Sequence, residues 1–294
     1  MELKKISNDT KQTQHTLTNL TTPGRTMPSI GFGLYQLSRE ATQRVTTRAV
    51  ERGWRQFDGA RVYRNERELG ETIANLPHNH RREDLFLTSK LDKAGTSTSA
   101  LADVRKSIRY HKTTYLDLML IHSATPGYLN RIEAWKQLCE AYNTGLCRSI
   151  GVSNYGIKHL EELRKLCEEN EGVVMPHVNQ IQLHPWLQNR DIVAYCKSHG
   201  IVVQAFSPLA RASRWQDPTI DSLAKKHGVT AAQVLIKWSL THGFVPLVKT
   251  ENEDRLSENL LSNIHFNLDQ EDMAAIDALD DPNGACTWNP VNCD

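Results

Sequence analysis

The sequence lacks the features that mark most specialised classes of protein. Its 35 lysines and arginines meet 34 aspartates and glutamates, a formal net charge of +1. The basic excess that nucleic acid or an anionic membrane surface recruits is therefore absent. No apolar run approaches the roughly 20 residues needed to cross a bilayer, and residues 116–121, among the longest, are interrupted by Asp117. Six cysteines are present, but none forms a C-x-x-C pair or a tight cluster with histidine. That argues against a zinc site and against a disulfide framework. No apolar signal segment with a small-residue cleavage site opens the chain. The expectation is a cytoplasmic protein with free thiols, no metal, and neither nucleic acid nor membrane as partner. Its oligomeric state stays open, a monomer being compatible.

What is there is a chain of 294 residues, 39% of them hydrophobic, long enough to bury a large core in one big domain or two average ones. Residues 1–27 are polar and rich in Thr, Asn and Gln, and are expected to form a flexible leader. From 28 to 294 no linker, low-complexity tract or charge block marks a domain boundary. Short β-rich runs at 29–34, 55–58, 85–89, 116–122, 149–152, 177–183, 201–206 and 244–248 alternate with amphipathic stretches. Several of these runs are apolar almost throughout, as strands covered on both faces are. Helix signals lie between them. Ser38 opens a stretch closed by Gly53, Thr98 precedes another, Asn130 leads into 131–144 with Gly145 as its stop, and 156–170 is charged on one face.

Alternating β and α elements build either an open doubly wound sheet or a closed eight-stranded barrel. The run ends Asp58, Lys90, His122 and Ser153 are separated by 32, 32 and 31 residues, a regular βα period. An open nucleotide-binding sheet places G-x-G-x-x-G after its first strand. Here Gly31-Phe32-Gly33 runs into Leu34-Tyr35-Gln36 without the third glycine. The barrel is favoured, and in a barrel all C-terminal strand ends open onto one mouth.

Asp58, Lys90 and His122 each stand at such an end, with Tyr63 just after the first of them. Any one alone reads as a structural or surface group; together they make a proton-donating device. A tyrosine, with a reference pKa of about 10, donates poorly unless its phenolate is stabilised. A lysine ammonium supplies that charge, an aspartate keeps the lysine in place and protonated, and a histidine orients a carbonyl oxygen. No side chain supplies a hydride, so a cofactor must.

The motifs Phe57-Asp58-Gly59-Ala60-Arg61-Val62-Tyr63-Arg64-Asn65-Glu66, Thr88-Ser89-Lys90-Leu91, Leu120-Ile121-His122, Gly151-Val152-Ser153-Asn154, Val178-Asn179-Gln180, Phe206-Ser207-Pro208-Leu209 and Lys249-Thr250, with 255–259, occur in this order. As a set, over about residues 27–280, they resemble the aldo-keto reductase family. The resemblance implies a single (β/α)8 TIM barrel with an extra C-terminal helix and tail, and NADPH-dependent reduction of an aldehyde or ketone. It implies Tyr63 as general acid with Asp58, Lys90 and His122 as partners. For NADPH it implies Ser153, Asn154 and Gln180 on the carboxamide and Phe206 against the nicotinamide ring. Gly33, Leu34 and Asp58 belong to the same cofactor site, and Ser207 and Leu209 lie on the pyrophosphate. Lys249, Thr250 and Arg255 are implied for the 2′-phosphate, and Glu258 and Asn259 for adenine. A lysine at a strand end and an arginine in the next helical turn, with free backbone N–H groups, also suit a dianion on physical grounds.

The sequence departs from the family pattern at the mouth. Asp92 and Ser123 stand where members often carry tryptophan or another aromatic residue, and the segment after His122 is short, so an open, polar entrance is expected. Tyr35, Tyr63, Asp92, His122, Ser123, Trp215 and Trp288 are the expected substrate-pocket residues. Glu251 and Glu253 lie beside the phosphate residues and are expected to oppose the 2′-phosphate by like-charge repulsion. A second class of function is an NADPH-binding regulatory or redox-sensing subunit with little turnover. The presence of Asp58, Tyr63, Lys90 and His122 together favours the enzyme.

Overall fold

The computed structural model describes residues 17–19, 26–77, 80–92, 99–125 and 127–294. In chain order these form β1 (Leu17–Asn19), β2 (Thr26–Pro28), β3 (Gly31–Gly33), α1 (Arg39–Arg52), β4 (Gln56–Asp58), α2 (Glu66–Ala74), β5 (Phe86–Leu91), α3 (Ala100–Tyr110), β6 (Leu118–Ile121) and α4 (Tyr128–Asn143). There follow β7 (Ile150–Ser153), α5 (Ile157–Glu169), β8 (Val178–Gln182), α6 (Arg190–Ser198), β9 (Val202–Phe206), α7 (Pro218–His227), α8 (Ala231–Thr241), β10 (Val245–Val248), α9 (Glu253–Glu258) and α10 (Gln270–Asp277). Strands β3 to β10 pair in parallel and close into a barrel, β10 returning to β3. All eight expected strands are present, six of them one to three residues shorter than the apolar runs.

Local chemistry explains most of the helix boundaries. Ser38 Oγ accepts from Ala41 N at 3.1 Å at the start of α1, and Gly53 closes that helix. Asp217 caps α7 ahead of Pro218. Helix α4 differs from expectation: Asn130 lies inside it, because Gly127 at φ 126° turns the chain directly into helix at Tyr128. Ser99 caps α3, while Thr98 lies outside the described residues.

The barrel is filled in layers. At its lower end Phe86, Leu118, Leu120, Val178 and Val245 meet Met27, which is fully buried beneath them. Met27 belongs to β2, which pairs antiparallel with β1. Within the expected leader these two strands pair, and Met27 plugs the barrel floor; residues 1–16 and 20–25 lie outside the described residues. Along β4 the period of two puts Phe57 into the shell between barrel and helices and turns Asp58 to the mouth. After α10 the tail returns across the upper face. Gly284 permits this, since a Cβ there would stand 1.5 Å from Trp186 O. Arg131, buried on α4, holds the chain end by donating to Asp294 O at 3.0 Å. The tail so fixed carries Thr287 and Trp288 to the mouth.

Candidate active site

Neighbouring strands bring distant residues into register. Asp58 pairs with Thr88 across β4 and β5, and Lys90 with Leu120 across β5 and β6, so Asp58, Lys90 and His122 rise side by side around the mouth. A single 3-10 turn after β4, Arg61–Tyr63, brings Tyr63 back over them. Lys90 is completely buried. Its Nζ donates to Asp58 Oδ1 at 2.5 Å, to Gly59 O at 3.0 Å and to Tyr63 Oη at 3.3 Å. The Tyr63 and His122 rings meet edge to face at 5.8 Å.

Burial shapes the charges. Desolvation pushes the Lys90 pKa down, and the Asp58 carboxylate opposes that shift. The Tyr63 phenol is raised well above its usual value, by burial first and then by the charge of Asp58. The phenol thus stands above its usual value, where the stabilising charge of Lys90 taken alone would have lowered it. His122 is lowered to about 3, by burial and then by Lys90, so it stands neutral at physiological pH.

Asp58, Tyr63 and His122 line one cavity of about 570 Å³, with Lys90 buried behind them. Of the expected site residues, Gly33, Tyr35, Asp58, Tyr63, His122, Ser153, Asn154, Gln180, Phe206, Ser207, Leu209, Lys249 and Trp288 line it. Two amide oxygens in it make its chemistry specific. Gln180 Nε2 is committed to Asp58 Oδ2 at 2.9 Å and Gln204 Oε1 at 3.0 Å, and no donor among the described residues takes its Oε1. Asn154 Nδ2 is committed to His122 O at 3.0 Å and Ser153 Oγ at 3.1 Å, and its buried Oδ1 has no partner among the described residues. Two acceptors without donors in one polar corner suit a ligand that brings an NH2 group, as the carboxamide of NADPH does.

Other expected residues do not line this cavity. Leu34 is core, its N–H on Asp58 O at 3.0 Å and its carbonyl taken by Asn65 at 3.1 Å. Asp92 turns away toward Arg61, 3.7 Å distant. Ser123 is buried, its hydroxyl shared with Thr125 at 2.9 Å, and Trp215 lies on a surface turn beyond the mouth. Thr250, Arg255, Glu258 and Asn259 sit past Lys249 on the following turn and α9, outside the cavity. There Lys249 Nζ is paired with Glu251 at 3.0 Å, while Glu253 faces Arg48 at 3.8 Å. The N–H groups of Asp254 and Arg255 are capped by Asn252 Oδ1 at 2.9 and 3.2 Å, so they are not the free anion donors expected. Glu258 accepts from Thr230 at 2.8 Å.

Sequence reasoning missed Gln36, Val62, Arg211 and Thr287 as cavity residues. Val62 was legible, being next to Tyr63. The others come from two loops and a tail whose paths depend on tertiary packing.

A parallel eight-stranded barrel with a Lys, Asp, Tyr and His cluster beside an amide-lined cavity defines an oxidoreductase of the barrel class. The description "Aldo/keto reductase family" matches residues 29–281. An uncharacterized oxidoreductase of Schizosaccharomyces pombe is 39% identical over 289 residues, covering 97% of this chain and 98% of the relative. Glyoxal reductase of Bacillus subtilis is 38% identical over 260 residues, covering 87% and 90%. Among solved structures, a variant of Gox0644 in complex with NADPH superposes with a TM-score of 0.86 at 34% identity, covering 95% of this chain and 99% of that one. The chain belongs to the aldo/keto reductase family and is an NADP(H)-dependent oxidoreductase that reduces carbonyl groups.

Proposed function

We propose that residues 28–294 act as one reductase domain on small aldehydes and ketones, with Tyr63 as the proton donor. The observation that carries this reading is Lys90 Nζ, in contact with both Asp58 Oδ1 and Tyr63 Oη at the cavity floor. NADPH, when bound, supplies the hydride. A substrate oxygen gaining negative charge is far more basic than a phenolate, so Tyr63 gives up its proton readily to it even with a raised pKa. That raised pKa keeps the proton in place at neutral pH until the substrate needs it. Lys90 then stabilises the phenolate left behind, and Asp58 keeps Lys90 charged against its burial. His122, neutral and beside the Tyr63 ring, holds the carbonyl oxygen by a hydrogen bond and orients it.

The remaining residues position the cofactor. Gln180 Oε1 and Asn154 Oδ1 accept from the carboxamide, with Ser153 bracing Asn154. Phe206 lies against the ring, and Ser207 and Leu209 against the pyrophosphate. Lys249, Thr250 and Arg255 take the 2′-phosphate, and Glu258 and Asn259 the adenine. The name of the Bacillus subtilis relative supports a small aldehyde as substrate. Six free cysteines support the cytoplasm as the working compartment. No helix among the described residues is long and apolar enough to cross a membrane, and neither membrane nor nucleic acid enters the proposal.

The test is Tyr63→Phe, assayed by optical consumption of NADPH with a panel of activated aldehydes. Loss of the general acid should lower turnover by about 10²- to 10⁴-fold while NADPH still quenches protein fluorescence as in the parent. Unchanged turnover would remove Tyr63 from the role.

A further inference from the structure

Tyr63 is carried by a short segment between β4 and α2, and three side chains anchor that segment. Arg61 reaches α3, its guanidinium paired with Asp103 at 3.0 Å. Asn65 donates to Leu34 O and to Thr42 Oγ1, each at 3.1 Å. Glu66, the first residue of α2, reaches β5, where its Oε1 accepts from Ser89 Oγ at 2.6 Å. Only this last anchor falls beside the partner of the proton donor, since Ser89 directly precedes Lys90.

Both ends of the Glu66 to Ser89 bond are buried, the carboxylate residue 4% exposed and the serine not at all. A buried carboxylate persists only where it is satisfied, and among the described residues Ser89 is the one hydrogen-bond donor to the Glu66 side chain. His111 Nδ1 lies 3.9 Å from the same oxygen but is committed to Ser107 O at 2.8 Å. Successive side chains of a strand point to opposite faces. Lys90 therefore turns to Asp58 and Tyr63, while Ser89 turns outward to α2. Between Tyr63 and Glu66, Arg64 stands at φ 58°, a left-handed value uncommon for a residue with a Cβ. Such strain persists where surrounding contacts impose it. Here the contacts on either side of the strained residue are those of Arg61 and Glu66.

We infer, on the reading of Tyr63 as proton donor, that Glu66 is a positioning residue: its bond to Ser89 clasps the turn that carries Tyr63 onto the strand that carries Lys90. Glu66 itself lies outside the catalytic cavity, so it acts through the 3.3 Å contact of Lys90 Nζ with Tyr63 Oη. A misplacement of about 1 Å can cost about 10²-fold in rate. The clasp needs an acceptor at Glu66 and a donor at Ser89, and a glutamine amide oxygen meets the first need.

The experiment removes each half of the clasp. Ser89→Ala deletes only the hydroxyl, Glu66→Ala deletes the acceptor, and Ser89→Ala alone carries the test where Glu66→Ala does not fold. Each should lower kcat for NADPH-dependent aldehyde reduction by about 10- to 100-fold, with the Kd of NADPH unchanged. Glu66→Gln should recover most of that loss. In a Tyr63→Phe background, with residual turnover measured at high enzyme concentration, Ser89→Ala should lower kcat no further, because the group being positioned is gone. Multiplied losses in that background, or weakened NADPH binding, would mark a structural role and overturn the clasp. So would undiminished kcat in Ser89→Ala, or a glutamine variant as impaired as the alanine one. Parent-like turnover in Tyr63→Phe alone would count instead against the proton-donor reading, which separates the two failures.

Discussion

The side-chain nitrogen of Gln180 donates both to Asp58 Oδ2 at 2.9 Å and to Gln204 Oε1 at 3.0 Å. One amide thereby braces the carboxylate that holds Lys90, while its own orientation is set by a glutamine one strand away on β9. Gln204→Leu should free that orientation and leave one N–H of Gln180 unpaired. A neutral hydrogen bond is worth about 0.5 to 1.5 kcal/mol, so NADPH should bind about 2- to 12-fold more weakly. Fluorescence titration measures this, and an unchanged Kd would show that the amide is held by Asp58 alone.

Replacing Lys90 should act through Tyr63. The phenol already sits above its ordinary value because of burial and Asp58. Lys90→Met would remove the cation at 3.3 Å and leave the carboxylate facing the phenol, raising its pKa further. Alcohol oxidation, which needs the phenolate, should show its alkaline rise at higher pH than in the wild type. Coincident profiles would disprove the coupling.

The pairing of Lys249 with Glu251 at 3.0 Å predicts a gain of function. Glu251→Gln releases the ammonium for the 2′-phosphate. An exposed pair is worth up to about 1 kcal/mol, so NADPH affinity should rise by no more than about fivefold, with NADH unaffected. Arg255→Ala should shift the same ratio the other way. Parallel changes for both coenzymes would place these residues outside phosphate recognition.

Histidine burial predicts a dependence of stability on acid. His122 is lowered to about 3 and His184 to about 4, in both cases by burial first, from an ordinary value of 6.5. The folded protein then binds fewer protons than the unfolded chain between those limits. Stability from these groups is complete above about pH 6.5 and declines as pH falls through the folded values. Denaturant melts at stepped pH should show this decline, and His122→Asn should reduce it. In NMR spectra the His122 ring should remain neutral across the physiological range.

The floor plug makes a separate claim on stability. Met27 is fully buried under the barrel, and Met27→Ala should cost about 2 to 5 kcal/mol through lost burial and a cavity. A lowered Tm with unchanged NADPH affinity is expected, because the plug lies at the opposite end of the barrel from the mouth.

The amino-acid order alone determined the barrel and the chemical core of its site. Strand runs and helix caps are short-range signals, and residues at equivalent ends of successive βα units must meet once the sheet closes, which is why Asp58, Lys90 and His122 were legible. What sequence could not decide was every placement that depends on the path of a loop or on a competing partner. Asp92 follows Lys90 by two residues, yet Arg61 draws it away. Ser123 follows His122 and is captured by Thr125. In their place the mouth is lined by Gln36, Arg211 and Thr287, which are far apart in the chain and converge because a strained left-handed turn and a tail anchored at Asp294 O carry them there. Met27, polar in its sequence surroundings, became core for the same reason. A side chain's partner is chosen by distances in the folded molecule, and periodicity along the chain carries no record of them.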